Sequence, residues 1–186
     1  MNKKEMIIQH AAYLFSERGY YGVGLTELLK VCEIPKGSFY YYFPDGKIQL
    51  IKEVLDASYI QMKTGIENSH FKNETNPLKA FENMADFLAA NVEKRSYFSS
   101  LLLTMISIES VYLDEDVNQT CKHIYDEWQA LYAQKFFDFG YSKEESYEKA
   151  QAVFALIHGS MISSWIKKDS SDLKMIKKSL ARIIEK

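Results

Sequence analysis

Only three prolines, Pro35, Pro44 and Pro77, and eight glycines interrupt 186 residues. These are the residue types that most often stop a helix, so a chain this poor in them favours long helices over a sheet-rich fold. The apolar residues repeat accordingly. Lys3 to Arg18 places Ile7, Ala11, Leu14 and Phe15 on one stripe and ends at Gly19, a natural C-cap. After Pro44-Asp45-Gly46, a long helix starts at Lys47 and runs to about His70, with Leu50, Ile51, Val54, Leu55 and Ile60 as its buried side. The polar stretch 71–77 ends in Asn76-Pro77 and is the best boundary between helical units. Pro77 to Glu93 is amphipathic through Leu78, Phe81, Met84, Ala85 and Leu88, and Tyr97 to Ser110 is apolar nearly all round, which predicts a buried helix. Asp114-Glu115-Asp116 opens a helix that stops at Gly140. Ser142 and Glu145 form a capping box for a helix to about Lys168, and Ser171 to Glu185 makes the last one. The expected fold class is all-α.

Within this pattern, residues 25 to 43 read as two short helices joined by a tight turn, a helix-turn-helix. The first runs from about Leu25 to Cys32, with Leu28, Leu29 and Val31 or Cys32 facing inward. The turn is Glu33-Ile34-Pro35. Pro35 suits the first turn of a helix, where its missing N–H is no loss and its fixed φ is already helical. On the second helix Phe39 and Phe43 stand four apart and share one face, which turns Lys36, Ser38, Tyr41 and Tyr42 outward with donors to offer. A short helix of this kind fits a DNA major groove.

Charge bounds that reading. The formal net charge is −2, and residues 1–55 carry seven cationic against six anionic side chains, so the head is only slightly basic. Binding to a polyanion would rest on a few placed contacts in a dimer rather than on bulk charge. Cys32 and Cys121 sit far apart in apolar helical patterns and read as reduced buried thiols. No stretch has the length and purity of a membrane span, and Gln9 and His10 interrupt the N-terminal apolar run that a signal peptide needs, so a cytoplasmic protein is expected. Glu67-x-x-His70 lacks the second copy that a di-iron site requires, and His123 and His158 have no Cys or Asp at ligand spacing. There is no Gly-x-Ser-x-Gly elbow, Walker loop or Cys-x-x-Cys, so no catalytic set can be named, and no cofactor or metal is implied.

The run Pro35-Lys36-Gly37-Ser38-Phe39-Tyr40-Tyr41-Tyr42-Phe43, about forty residues from the N-terminus behind an amphipathic first helix, resembles TetR-type transcriptional repressors. Phe43-Pro44-Asp45-Gly46-Lys47, with the Glu109 and Trp128 regions, is similar to the lincomycin- and flavonoid-responsive (LmrA/YxaF-like) repressors of bacilli. Two departures stand out: Glu33, where many relatives have glycine, and Gly24, where a hydroxyl residue commonly caps the second helix. Glu33 in a left-handed turn would be strained by about 1 kcal/mol or more. The resemblance implies a helix-turn-helix DNA-binding domain over residues 1–46 and a helical regulatory and dimerisation domain over 47–186. It implies that Thr26 offers its hydroxyl and amide to a phosphate at a helix N-terminus. Lys36, Tyr40, Tyr42 and Lys47 resemble backbone clamps, Gly37 allows close approach, and Ser38 and Tyr41 are the candidates for base edges. Tyr40 has an even alternative, packing between helices with only its hydroxyl tip outward.

Phe98, Leu102, Met105, Trp128, Tyr132, Phe154, Met161 and Trp165, with Glu109 and His158 as isolated polar groups, are the candidate lining of a pocket for a small hydrophobic or aromatic effector. Plain core is the alternative for each. Gly159, Ser160, Ser163 and Ser164, with Leu173, Ile176, Leu180 and Ile183 on the following helix, could form a four-helix seam between two copies, as the family implies; intrachain packing is the alternative. The leading expectation is a homodimeric repressor of a pseudo-palindromic DNA operator, released by ligand and acting away from membranes. A ligand-binding helical protein without a regulatory role and a helical-bundle enzyme are the other two readings.

Overall fold

The computed structural model describes residues 2–72, 74–94 and 99–185; among them are ten α-helices, one π-helical turn and no strand. The helices are α1 (Lys3–Arg18), α2 (Leu25–Val31), α3 (Lys36–Tyr42), α4 (Gly46–Gly65), α5 (Pro77–Lys94), α6 (Ser99–Ser110), α7 (Glu115–Asp138), α8 (Lys143–Lys167), α9 (Ser171–Met175) and α10 (Lys177–Ile184). Two expected helices are divided. The one that was to reach His70 ends as an α-helix at Gly65 and continues as a π-helical turn, Ile66–Phe71, while the last breaks at Ile176 into α9 and α10. The expected start of α6 at Tyr97 and Phe98 lies outside the described residues.

Helix ends follow local chemistry. The Asn2 side chain accepts the Glu5 N–H at 2.9 Å and Glu5 returns a bond to the Asn2 N–H, so α1 opens on a capping box. Ser142 and Glu145 do the same for α8, as their spacing predicts. Three helices close on the same device. At α2 the Glu33 N–H donates to Lys30 O at 3.2 Å and Ile34 to Leu29 O at 3.1 Å; at α7 Gly140 donates to Phe137 and Tyr141 to Phe136; at α8 Lys168 donates to Trp165 and Asp169 to Ser164. This paired closure needs a left-handed residue just past the helix. Gly140 supplies it without strain, whereas Glu33 (φ 52°) and Lys168 (φ 57°) supply it with a side chain in place.

The chain forms two compact units. One holds α1 to α4 as far as Met62, α6, and α7 up to Ile124. Its core is built from Ile7, Ala11, Phe15, Leu28, Phe39, Phe43, Leu50, Ile51, Val54, Leu55, Leu102 and Ile106, all shut from solvent. On α2, Leu28 and Cys32 carry the inward face and Val31 is exposed; on α4, Ile60 is exposed rather than buried. The other unit holds the π-helical turn, α5, the rest of α7, and α8 to α10. Its centre is aromatic, with Phe81 stacked on Phe136 at 5.0 Å and edge-on to Tyr132 at 5.1 Å. Lys135 of α7 donates to Phe71 O at 2.6 Å and lies over the Phe71 and Phe139 rings, which clamps the end of the π-helical turn. The helices α9 and α10 pack on α5 and α8, burying Leu173, Ile176, Leu180 and Ile184 inside the chain.

Glu33→Gly should relieve the left-handed strain at the end of α2, partly offset by the extra freedom glycine gives the unfolded chain. The expected net gain is under about 1 kcal/mol, a rise of about 2–4 °C at most in the thermal midpoint. An unchanged or lower midpoint would show that the carboxylate side chain is not strained there.

Candidate nucleic-acid interface and aromatic centre

The short helix α3 begins at Pro35, which serves as its N-cap (φ −71°) rather than as its first helical residue. Behind it, Phe39 and Phe43 are fully buried with rings 5.3 Å apart. In front, Lys36 and Gly37 are exposed, Tyr41 is 79% exposed, and Ser38 and Tyr42 are half-buried. Tyr40 takes a middle course: its ring packs edge-on against Phe39 at 5.4 Å, yet the residue stays 41% exposed. Gly37 has no packing reason to lack a side chain, because an added Cβ would meet nothing within 4 Å. Thr26, in the first turn of α2, opens on a broad surface depression shared with Gly24, Glu27, Lys30, Val31 and Glu33. Glu27 in that depression is paired with Arg18 at 2.7 Å.

Two residues assigned from the sequence occupy other places. Lys47 does not stand out as a phosphate clamp: its ammonium donates to the Tyr20 carbonyl and lies 3.7 Å from the Tyr20 ring centroid. Burial holds its pKa below the usual lysine value, with Glu109 acting in the opposite sense. Glu109 is not an orienting group within the aromatic cluster, because its carboxylate accepts the Tyr20 N–H at 2.6 Å. Sequence reasoning missed this, since no local pattern relates positions 89 residues apart.

The candidate pocket residues divide. Trp128, Tyr132, Phe154, His158, Met161 and Trp165 belong to the second unit, whereas Leu102, Met105 and Glu109 belong to the first; Phe98 lies outside the described residues. Of these, Trp128, Tyr132, Phe154 and His158 form a cluster. The His158 ring sits 3.8 Å from Phe154, 4.3 Å from Trp128 and 5.9 Å from Tyr125. Tyr132 is buried with Phe81 and Phe71 around it and donates to Met84 Sδ at 3.3 Å. Burial drives its phenol well above the ordinary range, with the Trp128 indole acting in the other direction. That indole contact falls short of hydrogen-bond geometry, and both Trp128 Nε1 and His158 Nε2 are buried without a partner. Burial pushes the His158 pKa down to about 3, so the imidazole is neutral at pH 7. Tyr125 was not singled out from sequence, although it shares a helical stripe with Trp128 and Tyr132. A separate cleft of about 240 Å³, lined by Ala130, Ala133, Gln134, Phe137, Lys143, Ser146 and Tyr147, contains none of the residues assigned from sequence.

The seam residues also change role. Ser164 is fully buried and accepts the Leu173 N–H at 3.3 Å, and Ser163 donates to Asp172, so both hold α9 within the chain. Leu173, Ile176 and Leu180 are intrachain core. Along one stripe of α8, Ala152, Ala155, Gly159 and Ile166 are exposed, with Ile162 half-buried beside them, while Tyr147, Glu148 and Gln151 are exposed elsewhere on the helix.

A helix-turn-helix with one buried aromatic face and one donor-bearing face, in an otherwise helical chain, defines a DNA-binding regulator. The sequence profile of bacterial regulatory proteins of the tetR family matches residues 7–54, and that of the LmrA/YxaF-like transcriptional regulator C-terminal domain matches residues 77–179. The chain belongs to the TetR family of transcriptional regulators, in its LmrA/YxaF-like branch, and is not an enzyme. It is 28% identical to the HTH-type transcriptional regulator LmrA of Bacillus subtilis over 187 residues, covering 100% of this chain and 98% of that protein. It is 24% identical to YxaF of the same organism over 185 residues, covering 100% and 96%. The crystal structure of reduced NemR from E. coli has the same fold, with a TM-score of 0.83 at 23% identity over 100% of this chain and 96% of that one.

His158 also makes a pH prediction. Its folded pKa lies below the ordinary value of 6.5, so the unfolded chain binds the extra proton first. The stability is present in full above about pH 6.5 and is lost as pH falls toward about 3. His70, also lowered by burial, adds in the same sense. His158→Leu should remove about 2 kcal/mol of the stability difference between pH 7 and pH 5, read by urea denaturation at each pH. Parallel losses in wild type and variant would refute the buried neutral imidazole.

Proposed function

We propose that this regulator is a homodimeric repressor whose α3 enters the major groove of a pseudo-palindromic operator, and that a small hydrophobic or aromatic effector releases it. The observation that carries the DNA reading is the one-sidedness of α3: Phe39 and Phe43 are spent on the core, while Lys36, Gly37, Tyr41 and half-buried Ser38 face outward. Residues 1–46 serve DNA and 47–186 serve regulation and assembly. Thr26, Lys36, Tyr40 and Tyr42 position the backbone, and Ser38 and Tyr41 reach base edges. The protein acts in the cytoplasm, where its DNA is.

The effector site centres on the His158 cluster. Flat apolar surface from Trp128, Phe154 and Tyr132 with one unpartnered imidazole nitrogen suits a ligand that is mostly apolar and carries a single polar group. A compound qualifies as the effector only if it binds the free protein more tightly than the operator complex, by the factor with which it weakens operator binding.

The DNA assignment is tested on a duplex enriched by the wild-type protein from a random pool. Gly37→Ala should fold at least as stably as wild type, since its Cβ has open space, yet bind that duplex about tenfold or more weakly because the groove approach is blocked. Tyr41→Ala should cut the preference over scrambled DNA by a factor corresponding to about 1–3 kcal/mol. Equal losses on selected and scrambled DNA for Tyr41→Ala would remove it as a base reader.

For the dimer, the exposed stripe Ala152, Ala155, Gly159 and Ile166 of α8 is the surface that a second copy would cover. Gly159→Leu meets nothing within 4 Å in its own chain at the first added atom, so the monomer should fold normally while light scattering reports a shift from dimer to monomer. An unchanged dimer would place the seam elsewhere.

A further inference from the structure

The peptide that leads from α1 toward the reading head is held at both ends by charged side chains from distant positions. Glu109, in the last turn of α6, accepts the Tyr20 N–H at 2.6 Å. Lys47, in the first turn of α4, donates to the Tyr20 carbonyl and covers its ring. Gly19 completes the arrangement. Its φ of +68° suits glycine, and a Cβ there would stand 2.3 Å from Glu109 Oε1, so the carboxylate occupies the space a side chain would need. One residue on, the Tyr21 hydroxyl donates to Tyr112 O at 3.1 Å, just beyond α6. Between α1 and α2 the loop's own backbone contributes little, the Val23 N–H reaching Tyr20 O at a long 3.4 Å.

We propose that Glu109 and Lys47 are positioning residues for operator binding: through the Tyr20 peptide they fix α2 and α3 against α6, so that operator affinity depends on a side chain in α6. Charge-assisted bonds of this kind are the strong and directional ones. The two charges also offset one another at a half-buried place, so removing either leaves its partner uncompensated. The inference rests on the reading of α3 as the operator-reading helix. It separates two roles for Lys47 that a simple loss of binding would confuse. A phosphate contact contributes about one unit to the slope of log K against log salt, whereas a positioning residue contributes none.

The test measures binding of the pool-selected duplex across a KCl series for wild type, Glu109→Ala, Glu109→Gln, Lys47→Ala and Tyr41→Ala, with circular dichroism to confirm folding. Glu109→Ala should weaken binding about ten- to a hundredfold, and Glu109→Gln, whose amide oxygen still accepts the Tyr20 N–H but carries no charge to offset Lys47, should recover part of it. Lys47→Ala should weaken binding with an unchanged salt slope. Gly19→Ala should weaken binding and add little on top of Glu109→Ala, because both disturb one contact. Wild-type affinity for Glu109→Ala alongside a defective Tyr41→Ala overturns the proposal, and so does a Lys47→Ala salt slope lower by about one unit. Wild-type affinity for Tyr41→Ala as well would instead overturn the assignment of α3.

Discussion

A seven-residue helix cannot hold itself together in water, and α3 is seven residues long. Its existence and its orientation depend on Phe39 and Phe43, buried completely on one side. Once those two rings are fixed, helical geometry sends Lys36, Gly37 and Tyr41 the other way, and a donor-bearing outward face follows with no further choice. The turn before it is fixed by the paired closure of α2 at Glu33 and by the extended Pro35. The helix-turn-helix is therefore set by two aromatic anchors and one strained turn, with the hydroxyls and amine left facing outward.

The charge distribution makes that economy necessary. Several cations of the first unit are already committed: Lys4 to Glu53 at 2.7 Å, Arg18 to Glu27 at 2.7 Å, Lys52 to Asp116 at 3.6 Å, and Lys47 to the Tyr20 carbonyl. Lys30 and Lys36 remain exposed. A net charge of −2 gives the chain no excess of cations to attract a polyanion, so the proposed operator contacts rest on hydroxyls, amides and close approach more than on bulk charge. Glu33, beside Thr26 and Lys30 in the same depression, adds a carboxylate to that surface, which disfavours indiscriminate binding to phosphate.

The second unit shows the opposite economy. Trp128, Tyr132, Phe154 and His158 bring much aromatic surface and very few polar atoms to one place, and two of those polar atoms have no partner. Buried polar groups are normally satisfied, so an orphaned imidazole nitrogen among rings is the sort of feature that a ligand completes. Two serines of α8 have the reverse character: Ser163 and Ser164 are tied to α9, and one exposed stripe of the helix carries alanine, glycine and isoleucine at Ala152, Ala155, Gly159 and Ile166.

Periodicity, scarce prolines and capping residues determined the all-α class, most helix boundaries, the aromatic anchors at Phe39 and Phe43, and the outward set on α3. These are properties of residues within about one or two turns of each other, where side-chain direction follows from spacing alone. The buried cluster was half legible for the same reason, since Trp128 and Tyr132 lie on one helical stripe, as do Phe154, His158 and Met161. Tertiary structure alone decided which stripes meet. It moved Glu109 from a supposed pocket to the Tyr20 peptide and turned Lys47 inward to the same residue. It consumed Leu173, Ile176 and Leu180 in intrachain core, and broke two long helices at the π-helical turn and at Ile176. Contacts between positions tens of residues apart depend on how whole helices pack, and no local pattern encodes them.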